Sequence, residues 1–314
     1  MGIRLNRVIF AGLAAYAAGY CDLSHADDGH DVSITVVMSK ENDARHEVLN
    51  GFQQHLSESG ITANYNVEVV DADAPEHGFQ ANDEDGTNRI FLTLDTHAAE
   101  HTMTHQHDAK IISALVLNTA KFDMAQHTTG VLLNHSVEVQ LEYLRRILPD
   151  VHRVGVLFNP SENEQFVSDA QIPARKMDID LVTEPVNKPR DLPKALRSVG
   201  SNAQMIWGIA DRIVLAPETI QHLLVYSFRN RLPLSGLSEP WVKAGALYAL
   251  ERDYFDIGIQ CGEMAVKSLQ GISLEKIPPS TPRKVLYVLN LKTARHMKLN
   301  LSPGIIEGAH MVFE

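Results

Sequence analysis

The chain has 314 residues, enough for two domains of ordinary size or one large one. Hydrophobic residues make up 44% and charged residues 21%, a globular composition able to bury a sizeable core. The formal net charge of −11 repels phosphate backbones, so no nucleic-acid partner is expected. Beyond residue 20, no apolar run approaches the ~20 residues needed to cross a bilayer.

The N-terminus reads as an export signal. Arg4 and Arg7 form a short basic region, and "VIFAGLAAYAAG" (8–19) follows as an apolar core too short for an anchor. Ser24 and Ala26 then place small residues at −3 and −1 of a cleavage site before Asp27. Residues 1–26 are therefore expected to be a signal peptide and the mature protein to be periplasmic. Lipidation at Cys21 is the competing reading, but bulky Tyr20 stands where a lipoprotein signal wants a small residue. Cleavage removes Cys21 and leaves Cys261 alone, so no internal disulfide is available.

From residue 32 onward, β-rich runs alternate with helical patterns. "VSITVVM" (32–38) is a strand; in 42–60 Ala44, Val48, Phe52 and Leu56 are four apart, with Gly60 as a stop. Strands follow at 64–72, 89–95, 110–118 and 130–134, with a polar loop at 77–89. A second round opens with the helix 136–150. It continues with a strand at 153–159, a helix broken at Pro173, a strand at 181–186 and a helix at 191–200. A strand at 203–210, a helix at 216–231 and a strand at 232–238 complete it. Near-continuous apolar strands between amphipathic helices indicate parallel sheets covered on both faces. The two rounds imply an α/β chain of two doubly wound parallel-sheet lobes. A Pro-rich segment, "EKIPPSTPRK", reads as a linker between lobes, followed by a last strand and helix.

No catalytic signature, phosphate loop or HExxH is present, and neither an enzyme nor a cofactor is expected. The strand ends, however, carry polar residues where doubly wound sheets bind ligands. These ends offer Ser39 and Asn42, Thr96 and His97, and Asn118 in the first round. In the second they offer Asn159, Ser161 and Glu162, then Asp211, then Glu239 and Trp241. Helix N–H groups suit the anionic part of a ligand, and the carboxylates Glu162, Asp211 and Glu239 suit a cationic part. An amino acid or related zwitterion needs both. Singly, each Ser, Asp or Asn has the simpler reading of a helix cap. Trp241, Tyr248 and Phe158 would supply aromatic surface.

Three stretches carry a resemblance: "LLNHSVEVQLEYLRRILPDVHRVGVLFNPSEN", "PLSGLSEPWVKAGALYALERDYFDIGIQCGEMAVKSLQG" and "VLYVLNLKTARHMKLNLSP". Together they resemble the periplasmic substrate-binding proteins of ABC transporters whose better-known members bind tryptophan and other aromatic amino acids. The resemblance is close over 130–303 and looser over 31–129. It implies the type I periplasmic binding protein fold, two lobes joined by a three-segment hinge. The implied division is 27–134 with 240–273 as lobe 1, 135–239 with 284–314 as lobe 2, and 274–283 crossing between them. The family's strand-end motifs fall on Thr96-His97-Ala98 and on Asn159-Pro160-Ser161-Glu162, and its lobe 2 acid on Asp211, the expected partner of a ligand ammonium. Arg212 stands where the family usually has Asn. The implied role is capture of a small molecule by a monomer that delivers it to an ABC permease or another inner-membrane receptor. The same fold serves ligand sensing.

"THAAEHTMTHQHD" (96–108) leaves a further alternative. On a helix, His97, His101 and His105 share one face, a spacing known from zinc sites, although no acid or cysteine continues it. A solvated histidine face is the plainer reading of His101, His105 and His107.

Overall fold

The computed structural model describes residues 32–70, 89–117 and 127–314. The expected signal peptide, the lipidation alternative, Asn118 and most of the 77–89 loop lie outside the described residues.

The first half of the chain builds β1 (Val32–Met38), α1 (Asp43–Glu58), β2 (Ala63–Val69), β3 (Arg89–Thr93), α2 (Thr96–His105), β4 (Lys110–Val116) and β5 (Thr128–Leu132). The strands form one parallel sheet in the order β2-β1-β3-β4-β5. Each central strand is apolar on both faces, so both faces must be covered. One is sealed by α1, whose Val48, Phe52 and Leu56 are fully buried against Ile34, Val36, Ile90 and Leu92. On the other, Ala98 of α2 packs with Val37, Phe91 and Ile111.

The second half continues with α3 (Val137–Ile147), β6 (Arg153–Phe158), α4 (Pro160–Lys176), β7 (Asp180–Pro185), α5 (Leu192–Asn202) and β8 (Met205–Trp207). Then come α6 (Pro217–Asn230), β9 (Leu234–Gly236), α7 (Glu239–Ala244), β10 (Tyr248–Arg252) and α8 (Tyr254–Leu269). The chain closes with β11 (Val285–Asn290), α9 (Leu291–Met297), α10 (Pro303–Glu307) and β12 (Met311–Phe313). The second sheet has seven strands in the order β12-β11-β10-β9-β8-β6-β7, with β10 and β11 antiparallel and the other pairs parallel. α3 and α4 seal one apolar face of it, α5 and α6 the other. The fold is thus two α/β lobes with parallel sheets, inside one compact unit, Asp31–Glu314.

Two sequence expectations differ from the structure. α4 does not break at Pro173 but runs on to Lys176. The proline falls one turn from the helix end, where its missing N–H forfeits a single hydrogen bond. Residues 240–252, expected in lobe 1, belong to the second sheet: Tyr248 and Ala249 of β10 pair with Ser235 and Gly236 of β9. The chain returns to the first lobe with α8. There Gly51 of α1 meets the backbone of Phe255, and Gly258 of α8 meets the backbone of Val48. A Cβ at either glycine would stand 2.0 Å from a carbonyl oxygen, so this helix pair can close only around glycine. Ser280 of the Pro-rich segment then adds to the edge of the first sheet, bridging to Val131, before β11 joins the second.

Candidate functional site

The polar strand ends share a construction that repeats in both lobes. In the first, Asp95 follows β3 and caps α2. Its Oδ1 accepts from the Ala98 N–H at 2.8 Å; its Oδ2 accepts from the Ser39 N–H and hydroxyl, both at 2.9 Å. The Arg45 guanidinium adds an ion pair at 3.0 Å. Burial raises the Asp95 carboxyl pKa. The Ser39 and Ala98 N–H groups, the Ser39 hydroxyl and the Arg45 charge together outweigh it and hold the group below the usual carboxylate range.

In the second lobe Asp211 follows β8 and does the same work. Its Oδ2 accepts from the Asn159 N–H at 2.6 Å and from Asn163 Nδ2 at 2.8 Å. Its Oδ1 accepts from the N–H groups of Ile213 at 2.9 Å and Val214 at 2.8 Å. Ser39 follows the first strand of lobe 1 and Asn159 the first strand of lobe 2. Each lobe therefore uses a buried aspartate after one central strand to brace the loop after its neighbour.

This changes the part expected of Asp211. Four protein donors occupy its four lone-pair directions, so the carboxylate serves the loop and has no acceptor capacity left for a ligand ammonium. Other expected contacts are likewise engaged. Asn42 Oδ1 caps α1 through the Arg45 N–H, and Asn159 Oδ1 accepts from the N–H and hydroxyl of Ser161. Glu162 holds Arg212, whose backbone N–H and Nε lie 3.2 and 3.3 Å from its two oxygens. Of the three proposed aromatics, Phe158 and Tyr248 are buried in the lobe 2 core; Trp241, half-buried on α7, is the one with surface to offer.

What stays unspent among the described residues is a short list. The first-turn N–H groups of Thr96 and His97 meet no acceptor, and buried His97 Nε2 has no partner. On the other lobe, no described cation pairs with the half-buried Glu239 carboxylate, and the Trp241 indole N–H is uncommitted. The β4 end leading to Asn118 carries a bulge, with Leu115 at φ 61°.

His101 and His105 of α2 are not arranged to share a metal ion. His101 and His105 stack with ring centroids 4.3 Å apart, which presents π faces to each other instead of two nitrogens to one point. His105 Nδ1 is already engaged with the His101 carbonyl at 2.8 Å. Among the described residues no three His, Cys, Asp or Glu side chains converge suitably for a metal ion.

The hinge residues were not singled out in the sequence. Three crossovers join the lobes, at 133–136, 252–253 and 281–284. Arg252 Nε donates to the Leu133 carbonyl at 2.7 Å, tying the first to the second. His135, 4% exposed, bonds the Glu251 carbonyl through Nε2 at 3.0 Å, and Gln140 links the His135 carbonyl to the Trp207 indole. Burial pushes the Glu251 carboxyl above its ordinary value. On the third crossover, Arg283 bridges Asp256 at 3.0 Å and Glu263 at 2.7 Å, and Lys284 pairs with Asp253. No local motif marks these residues; only their convergence does.

Two α/β lobes of this topology, joined by three crossovers, define a bilobal architecture. The sequence profile described as "ABC transporter substrate binding protein" matches residues 31–312, and the chain belongs to that family. It is 21% identical over 219 residues to a tyrosine-binding protein of Clostridioides difficile, covering 67% of this chain and 63% of that one. Among solved structures it is similar to a ligand-free, open substrate-binding protein with adhesive properties from Clostridium difficile. That likeness has a TM-score of 0.69 at 19% identity, over 90% of this chain and 99% of the other. It is also similar to an ABC domain in complex with L-Trp from Streptococcus pneumonia, with a TM-score of 0.60 at 18% identity, covering 90% and 100% of the two chains. These two structures share its fold. No described helix is long and apolar enough to cross a membrane.

Proposed function

We propose that this substrate-binding protein captures an amino acid or a closely related zwitterion between its lobes, in the periplasm, and hands it to an ABC importer. The observation that carries the reading is the division of unspent groups between the lobes. The ligand carboxylate is received at the start of α2, where the Thr96 and His97 N–H groups meet no acceptor among the described residues and the helix dipole favours negative charge. The ammonium is received by Glu239, because Asp211 is committed to its loop and Glu162 to Arg212. Trp241 supplies the apolar wall. The relatives that bind tyrosine and tryptophan support an amino-acid ligand with a sizeable side chain.

The test is thermal unfolding of the purified chain with single L-amino acids, and with analogues lacking either the carboxylate or the ammonium. A ligand at a hundred times its Kd adds roughly 2.7 kcal/mol to stability. The expected result is stabilisation by one or a few zwitterions and by neither truncated analogue. No response to any amino acid, with stabilisation by stoichiometric zinc or nickel, would overturn the reading.

A further inference from the structure

The chain carries a charge of −11, yet the outer face formed by α5, α6 and α9 is basic. α5 packs on α6 and α6 on α9. Lys194 and Arg197 of α5, Arg229 of α6, and Lys292 and Arg295 of α9 are all exposed, and Glu218 is the one carboxylate in the three helices. Arg231 and Lys298, also exposed, close α6 and α9. None of these cations is in an ion pair with a described residue, whereas Arg45, Arg212, Arg252, Arg283 and Lys284 all are.

Apolar surface runs along the same strip. Val225 and Phe228 of α6 are 41% and 38% exposed. The Phe228 ring stacks on His296 of α9 at 3.7 Å, joining the two helices. Between α5 and α6 lies a groove of about 560 Å³, with Leu196, Val225 and Tyr226 in its walls and Arg197 and Arg229 among its lining residues. Gly200 lets the helices approach, since the Tyr226 hydroxyl occupies the place of its absent Cβ.

We infer that this strip docks on an anionic phospholipid surface: its unpaired arginines and lysines meet the lipid phosphates while Val225 and Phe228 enter the headgroup layer. Charge complementarity carries the choice of occupant. The cations spread across three helices, as a broad anionic surface requires, instead of clustering at the groove as a single acidic peptide would ask. Exposed aliphatic and aromatic side chains among basic ones are the composition of interfacial membrane contacts. Net negative charge elsewhere orients the molecule with this face toward the lipid. The inference is independent of the ligand between the lobes.

Vesicle co-sedimentation tests it, using the chain from Asp27 onward, which retains the whole compact unit Asp31–Glu314 and lacks the apolar N-terminal segment. Vesicles of phosphatidylcholine with about one-third phosphatidylglycerol should bind the chain at low salt, and pure phosphatidylcholine should not. Arg197→Glu with Arg229→Glu should weaken binding by at least about tenfold, because two cations facing the lipid become anions. Arg175→Glu with Lys176→Glu, an equal charge change at the exposed end of α4, should leave binding within about twofold, a small fraction of that effect. Both double variants should melt like the parent. Equal loss in the two would reduce the effect to net charge and overturn the proposal. So would equal binding to neutral vesicles, or no binding to anionic ones, which would leave an acidic protein surface as the occupant.

Discussion

Replacing Asp211 by Ala separates two readings of this residue. If it held a ligand ammonium, its loss would abolish binding and leave the empty protein as stable as before. The structure places the carboxylate, 5% exposed, on four N–H donors at 2.6–2.9 Å. Hydrogen bonds to a charged group contribute roughly 1.5–3 kcal/mol each. Part is returned, because the freed donors at a strand end regain water and the buried charge is removed. The net loss is expected at about 3–5 kcal/mol, a large fraction of the ~5–15 kcal/mol that holds a typical fold together. For a domain of this size that lowers the melting temperature by roughly 10 °C. Asp211→Asn keeps one acceptor oxygen but turns an amide N–H₂ toward existing donors, and should fall between parent and Ala variant. The assay is thermal and urea unfolding without ligand. A melting temperature within about 2 °C of the parent would refute the bracing role and return Asp211 to the ligand.

Gly258→Ala should cost about 1–3 kcal/mol in urea unfolding, because its Cβ would stand 2.0 Å from the Val48 carbonyl oxygen and α1 and α8 must part; an unchanged midpoint would show that the helices have room. His135 sets a pH dependence. Burial, the largest influence, holds its ring below the ordinary 6.5, with Arg252 acting in the same direction and the Glu251 and Pro282 backbone opposing. The unfolded chain therefore takes the proton first as the pH falls. The stability contribution is complete above 6.5 and is lost as the pH drops toward the lower folded value. His135→Gln should flatten that part of the stability–pH curve; an identical slope in parent and variant over this range would count against it. Cys261 is fully buried in α8 and burial pushes its thiol up to about 12, so a thiol reagent at mildly alkaline pH should label it only in denaturant. Labelling of the native chain from Asp27 onward, in which Cys261 is the one cysteine, at the rate of a small free thiol would contradict this.

Much of the fold is legible in the sequence. The four-residue spacing of Val48, Phe52 and Leu56, and the runs 32–38 and 153–158, are read over a few residues at a time, and those are the distances over which helix and strand periodicity act. Cap chemistry is as local: Asn42, Ser136 and Asn159 each accept a first-turn N–H two or three residues on, as their side chains dictate. The resemblance of the three quoted stretches pointed to the family to which the chain belongs. Less legible was which polar strand-end residues have already been used. Ser39, Asn159, Glu162 and Asp211 look alike in sequence as ligand groups and as caps, and their spacing does not separate the two.

The order of the main elements, the predominantly parallel class of both sheets and the positions of the capped helix starts were determined by the sequence alone, because short-range periodicity and side-chain-to-backbone bonding decide them. The tertiary structure decided that Asp211 takes the Asn159 N–H 52 residues away, that β10 joins the second sheet, and that His135 and Arg252 meet partners 116 and 119 residues distant at the hinge. A carboxylate accepts from whichever donor the chain path brings within 3 Å or so. That path is set by the packing of whole sheets and helices, which no local spacing encodes.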